Sequence, residues 1–163
     1  MEVPFGDALQ LLPYRWMLSS GFPRSKTITP HPALVFSGVM KWNGHQVDLS
    51  DWWGMQGHNW GREHTPRYAW GQCIFGDPKT PTAMVEGFSG RINLAGRLSP
   101  PISAMTIRRG PQVFRFDRLI DVWNQDVSMD FPRWTLRLKG PAGRATLSME
   151  TRRDDMVCLG YSD

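Results

Sequence analysis

The residues with the greatest potential for chemistry lie close together, in the stretch HNWGREH at positions 58–64. It contains two imidazoles, His58 and His64, and one carboxylate, Glu63. Imidazoles and carboxylates are frequent general acids and bases in enzymes, and both also bind zinc. The sequence therefore offers His58 and Glu63 as a candidate acid–base pair, and the same residues as candidate metal ligands.

A metal-dependent hydrolase would need three protein ligands around a zinc ion. His58 and His64 would have to be joined by Glu63 or by Cys73. The His-x5-His spacing matches no common zinc motif, and Cys73 lies in an apolar segment, where free cysteine usually behaves as a small buried hydrophobe. The apolar surroundings of Cys73 also argue against a Cys–His nucleophile. We expect neither a metal nor another cofactor, and no glycine motif for phosphate or dinucleotide binding is present.

The segment RYAWGQCIF, directly after this stretch, has two dissimilar faces if it forms a strand. Because side chains alternate across a strand, Tyr68, Trp70 and Gln72 share one face. The residues of the other face are all small: Ala69, Gly71 and Cys73. A wall of large rings with polar tips suits an apolar ligand that carries a few polar atoms. The alternative is that the same wall only fills the interior of a barrel.

The elements that would position these residues are mainly β-strands. Apolar residues alternate with polar ones in RWTLRLK and RATLSMETR, and the intervening KGPAGR predicts that residues 133–139 and 144–152 form a hairpin. Asn43-Gly44 predicts a second hairpin, because a type I′ turn needs positive φ at both central residues. A third pair, SAMTIRRG and QVFRFD, surrounds Gly110-Pro111.

Two further strands are predicted in RYAWGQCIFGD and TAMVEGFSGRINLAG, the second with a bulge or bend at Gly87 and Gly90 that would help to close a barrel. Glycines 54, 57 and 61 predict that WWGMQGHNWGREH is a loop rather than a continuous strand. Residues 1–30 are expected to be a mostly irregular lead-in. The closing DDMVCLGYSD is patterned like a strand, which indicates a sheet that is incomplete at its C-terminus.

This pattern of eight or nine short strands predicts an all-β fold, an antiparallel barrel or sandwich in a single domain over residues 1–163. Charged residues make up 21% of the chain and basic residues are interspersed with acidic ones, which argues against a disordered chain and against nucleic-acid binding. No secretory signal and no apolar run of membrane-spanning length is apparent. We therefore expect a cytoplasmic protein with two reduced thiols, Cys73 and Cys158.

One combination of residues resembles a known family. Asn59-Trp60-Gly61, followed by the strand pattern of Tyr68, Trp70, Gln72 and Cys73, is similar to the Asn-Trp-Gly…Trp-x-Gln signature of tocopherol-cyclase-like proteins. The His-Asn-Trp-Gly form resembles that of the related lipocalin-like hydratases of the hydroxyneurosporene-synthase type. The resemblance covers about residues 34–75, including the lead-in FSGVMKWNGHQVDL, and elsewhere is only a generic β pattern.

The resemblance implies a lipocalin-like (calycin) antiparallel barrel, often one of two in tandem, with the signature in the second. It also implies an apolar ligand, often isoprenoid or polyketide, and cyclisation or hydration without a metal or redox cofactor. The ligand-binding residues would be Asn59, Trp60, Tyr68, Trp70 and Gln72. This chain has room for one barrel only, so a pocket between two barrels would be incomplete.

Two classes of function follow from these residues. In an enzyme, protonated His58 or Glu63 would protonate an alkene, and the aromatic faces of Trp60, Trp70 and Tyr68 would stabilise the developing cation. In a non-catalytic protein, the barrel would hold a lipid-like molecule. A third possibility is a structural half of a two-barrel protein, which would associate with its second barrel or with itself through exposed sheet edges.

Overall fold

Antiparallel strands account for most of the residues that the computed structural model describes, which are residues 12, 14–77, 80–94 and 96–160. These described residues also include one short helix, α1 (Trp16–Ser19), and a 3-10 turn at Arg153–Asp155. The strands, in chain order, are β1 (Ser25–Trp42), β2 (His45–Gly61), β3 (Arg67–Asp77), β4 (Thr80–Arg91), β5 (Asn93–Leu94), β6 (Arg97–Leu98), β7 (Ile102–Arg109), β8 (Gln112–Phe116), β9 (Asp126–Asp130), β10 (Arg133–Gly140) and β11 (Gly143–Glu150).

The strands form four antiparallel sheets. A central sheet has the order β3-β4-β7-β8, a second sheet has the order β11-β10-β9, and β1–β2 and β5–β6 are two-stranded. The predicted all-β antiparallel fold is thus confirmed. The ladders of the described residues remain separate and do not close into a barrel, because β3 and β8 are free edges of the central sheet.

The three predicted hairpins are present. Asn43 and Gly44 have φ of 47° and 80°, as a type I′ turn requires, and they join β1 to β2. Gly140 pairs with Gly143 across the turn between β10 and β11, and β7 pairs with β8 around Gly110. Strand β9 and the short β5–β6 pair were not predicted, since neither has a long enough alternation to stand out.

The main core lies between the central sheet and the β9–β11 sheet, where Val85, Met105 and Phe116 meet Trp134, Leu136 and Leu138. The face of β3 that carries the small residues packs closely against the β9–β11 sheet. Trp134 lies against Gly71 and Gly87, and its indole N–H donates to Ser89 Oγ at 3.0 Å. The opposite face of the central sheet packs against the β1–β2 hairpin, where Ala33 and Trp53 contact Met84 and Ile74.

One of the predictions from glycine is wrong, and another is not borne out as a bulge. WWGMQGHNWG is not a loop but the second half of β2, which pairs with β1 as far as Gly61. Its glycines make room for neighbours instead of turning the chain: the Phe36 ring covers Gly54, and the Arg24 carbonyl approaches Gly61. Nor does β4 bulge at Gly87 or at the neighbouring Gly90, since its pairing with β3 is regular there.

The predicted C-terminal strand is also absent as far as Gly160, the last described residue. Strand β11 ends at Glu150, and residues 156–160 form no ladder with the described part of the chain. Alternating residues favour a strand only where another strand supplies hydrogen bonds, and Val157 and Leu159 are instead exposed. The expected irregular lead-in is shorter than residues 1–30, because β1 begins at Ser25. Residues 1–11 and 13 lie outside the described residues.

Candidate functional site

A cavity of about 490 Å³ lies between the central sheet and the base of the β1–β2 hairpin. Its floor is the aromatic face of β3 together with the adjoining face of β4 and β7. The floor residues are Tyr68, Trp70, Phe88, Ile102 and Ala104. Strand register brings them together, since Trp70 pairs with Phe88 and Phe88 pairs with Ala104.

The walls come from the two hairpin strands. Thr27 and Thr29 of β1 line one side, and Met55, Gly57 and Asn59 of β2 line the other. The period of two along β2 directs these alternate residues to the cavity. Segments that the sequence pattern left irregular also contribute to the lining, namely Met17 and Phe22 at the N-terminal side and Leu119, Val122 and Trp123 after β8.

A buried carboxyl group, Glu86, lies beside the floor. Only 1% of Glu86 is exposed, and its Oε1 accepts hydrogen bonds from Trp70 Nε1 at 3.0 Å and from Thr29 Oγ1 at 2.5 Å. Its second oxygen, Oε2, has no partner among the described residues. Burial raises the pKa of Glu86 above its ordinary value, and the two hydrogen bonds partly oppose that rise. Glu86 thus fixes two side chains that line the cavity.

Sequence reasoning missed Glu86. The available signal was a lone carboxylate in the apolar run TAMVEGF, at a position that shares its strand face with Met84 and Phe88. A charged side chain on a core-facing position is costly unless it is hydrogen-bonded, so its presence indicates a specific arrangement. What the pattern could not supply was Thr29, because β1 is brought to Glu86 only by the tertiary fold.

Of the predicted ligand-binding residues, Asn59, Tyr68 and Trp70 line the cavity. Gln72 lies on the same face of β3 but outside the lining, and its Nε2 donates to the Pro32 carbonyl at 2.5 Å. Gln72 therefore ties β1 to the central sheet. Trp60 also lies outside the lining.

The predicted acid–base residues are placed elsewhere. His58 alternates with Asn59 along β2, so it points away from the cavity, and its ring stacks on Trp60 with centroids 5.1 Å apart. Glu63 forms an ion pair with Arg24 at 3.3 Å and lines a smaller neighbouring cavity of about 210 Å³. His64 lines both cavities. Neither His58 nor Glu63 lines the larger cavity.

Metal donors are dispersed in the described part of the chain. No three His, Cys, Asp or Glu side chains there come close enough to hold an ion, so His58 and His64 have no third ligand to complete a site. Cys73 is partly buried and Cys158 is exposed, and neither forms a disulfide.

Comparisons with protein-family models, with curated proteins and with solved structures found no match. Among the described residues, no helix has the length and apolar character needed to cross a membrane.

Proposed function

We propose that this chain binds an apolar small molecule, isoprenoid- or lipid-like, in the cavity above Tyr68 and Trp70. The observation that carries the proposal is the cavity itself: it has a volume of about 490 Å³, and Tyr68, Trp70, Phe88, Ile102 and Ala104 give its floor a mainly aromatic and aliphatic surface. Small-molecule sites have volumes of roughly 300–1,000 Å³ and combine apolar walls with a few placed polar groups. The resemblance of residues 59–73 to tocopherol-cyclase-like proteins supports the same class of ligand.

The distribution of polar groups supports an elongated apolar ligand. Thr29 and Trp70 direct their hydrogens to Glu86, so neither of these lining residues offers a donor to the cavity. Asn59 is exposed and lines the cavity from the hairpin side, where a polar end of a ligand would meet water. Because His58 and Glu63 lie outside this lining, the proposal concerns binding, and acid catalysis by that pair stays a hypothesis.

Tryptophan fluorescence provides a direct test, because two of the eight tryptophans, Trp70 and Trp123, line the cavity. We expect geranylgeraniol to change the emission of the purified protein in a saturable way. Trp70→Phe and Trp123→Phe should each reduce the amplitude of that change. Trp42→Phe is the matched control, since Trp42 is 64% exposed near the far end of the hairpin and should leave the amplitude unaltered.

A second variant tests occupancy of the cavity rather than the signal. Ala104→Leu would fill part of the floor and should weaken binding, whereas Ala83→Leu, in β4 and outside the cavity, should not. Native mass spectrometry would report bound ligand independently of fluorescence. The proposal would be refuted by the absence of saturable binding, or by binding that is insensitive to Ala104→Leu and to both tryptophan substitutions in the cavity.

A further inference from the structure

The hydroxyl group of Thr29 has a restricted role in the cavity. Thr29 lines the cavity and is only 2% exposed, and its Oγ1 lies 2.5 Å from Glu86 Oε1. A threonine hydroxyl has one hydrogen to donate and two lone pairs with which to accept. Whether Thr29 donates to Glu86 or accepts from it therefore decides what it can offer a ligand.

The same oxygen of Glu86 accepts a second hydrogen bond. The indole N–H of Trp70 can only donate, so Glu86 Oε1 must accept it, at 3.0 Å. An ionised carboxylate has no hydrogen on either oxygen and can only accept, so with Glu86 ionised Oε1 accepts from Thr29 as well. The only hydrogen of the Thr29 hydroxyl is then committed to Glu86.

Thr27 provides the contrast on the same strand. It also lines the cavity, but its hydroxyl has no hydrogen-bond partner among the described residues, so it can rotate and either donate or accept. Thr29 can only accept. We infer that the part of the cavity beside Thr29 favours an apolar ligand that carries a hydrogen-bond donor, such as an isoprenoid alcohol, and that Thr29 Oγ1 accepts that hydrogen.

This inference rests on the proposed function and names the class of ligand for the same cavity. The test compares geranylgeraniol with its methyl ether, which keeps the oxygen but has no hydrogen to donate. Loss of one neutral hydrogen bond weakens binding by about two- to twelvefold. We expect Thr29→Val to weaken binding of the alcohol by that factor and to leave the ether within twofold of the wild-type protein, whereas Thr29→Ser should restore binding of the alcohol.

Thr27→Val is the matched control. Because the Thr27 hydroxyl can serve a donor or an acceptor, its loss should affect the alcohol and the ether alike. The wild-type protein gives a further test if Thr29→Val does not fold: the alcohol should bind at least as tightly as the more apolar ether. If Thr29→Val weakened binding of the alcohol and of the ether equally, or if the wild-type protein preferred the ether, the inference would be overturned and the proposed function would stand. Absence of binding of both ligands would overturn the proposed function and the inference with it.

Discussion

The packing at Gly87 makes a quantitative prediction about the core. Gly87 lies in the middle of the central sheet, where a Cβ would be 3.2 Å from Trp134 Cη2, 3.2 Å from Leu147 Cδ2 and 3.6 Å from Leu136 Cδ2. Carbon atoms prefer separations of about 3.5–4.0 Å, so two of these three contacts are too short by a few tenths of an ångström. Gly87→Ala therefore overpacks the interface between the two sheets.

Trp134, one of the two closest neighbours of Gly87, has little freedom to move away. Trp134 is buried, and its indole N–H is held by Ser89 Oγ at 3.0 Å, so a shift of the ring would weaken that hydrogen bond. Overpacking of a core costs about 1–3 kcal/mol. A glycine-to-alanine change offsets about 0.4–1 kcal/mol of this cost, because alanine lowers the conformational entropy of the unfolded chain. We expect Gly87→Ala to lower the free energy of unfolding by about 1–2 kcal/mol.

Urea titration of four proteins would measure this effect: the wild type, Gly87→Ala, Trp134→Phe and the double variant. Phenylalanine lacks the outer indole atoms that crowd position 87, so Gly87→Ala should cost at least about 0.5 kcal/mol less in the Trp134→Phe background. Gly21→Ala is the control and should not lower the free energy of unfolding, because nothing lies within 4 Å of its Cβ and only the effect on the unfolded chain remains. Strictly additive effects at positions 87 and 134, or a fully stable Gly87→Ala, would refute the reasoning.

Two other predictions concern pH and a turn. Burial raises the pKa of Glu86 in the folded protein, so its ionisation disfavours the folded state, and the free energy of unfolding should fall as pH rises from the unfolded pKa through the folded one. Glu86→Gln should lack this fall, and urea titrations that give parallel pH profiles for the two proteins would contradict the assignment. Gly44→Ala should lower stability by about 1–2 kcal/mol because φ is +80° there, and an unchanged melting temperature would argue against the turn.

Much of the fold could be predicted because its signals are local. Asn43-Gly44 determines a hairpin through its own φ preferences, and the alternation in residues 133–139 determines which side of β10 is apolar. The glycines of β2 were misinterpreted for a related reason. In a sequence, a glycine that turns the chain cannot be distinguished from one that makes room for a close neighbour. At Gly54 the structure shows the second case, because the Phe36 ring covers it.

The candidate site was predicted in part. The period of two along β3 correctly grouped Tyr68 with Trp70, and both line the cavity. The same period along β2 separates His58 from Asn59, but the sequence pattern had assigned that segment to a loop, so the alternation was not applied there. Glu86 was missed because its significance comes from Thr29, 57 residues away in the chain.

The sequence by itself determined that this protein is an antiparallel β protein with hairpins at defined turns and one aromatic strand face, because backbone preference and side-chain alternation act between near neighbours. The tertiary structure decided what that face meets. It placed the hairpin base over Tyr68 and Trp70, left a cavity between them, and brought Thr29 to the buried carboxyl of Glu86. Those contacts depend on how separate sheets pack against each other, and no local pattern along the chain specifies them.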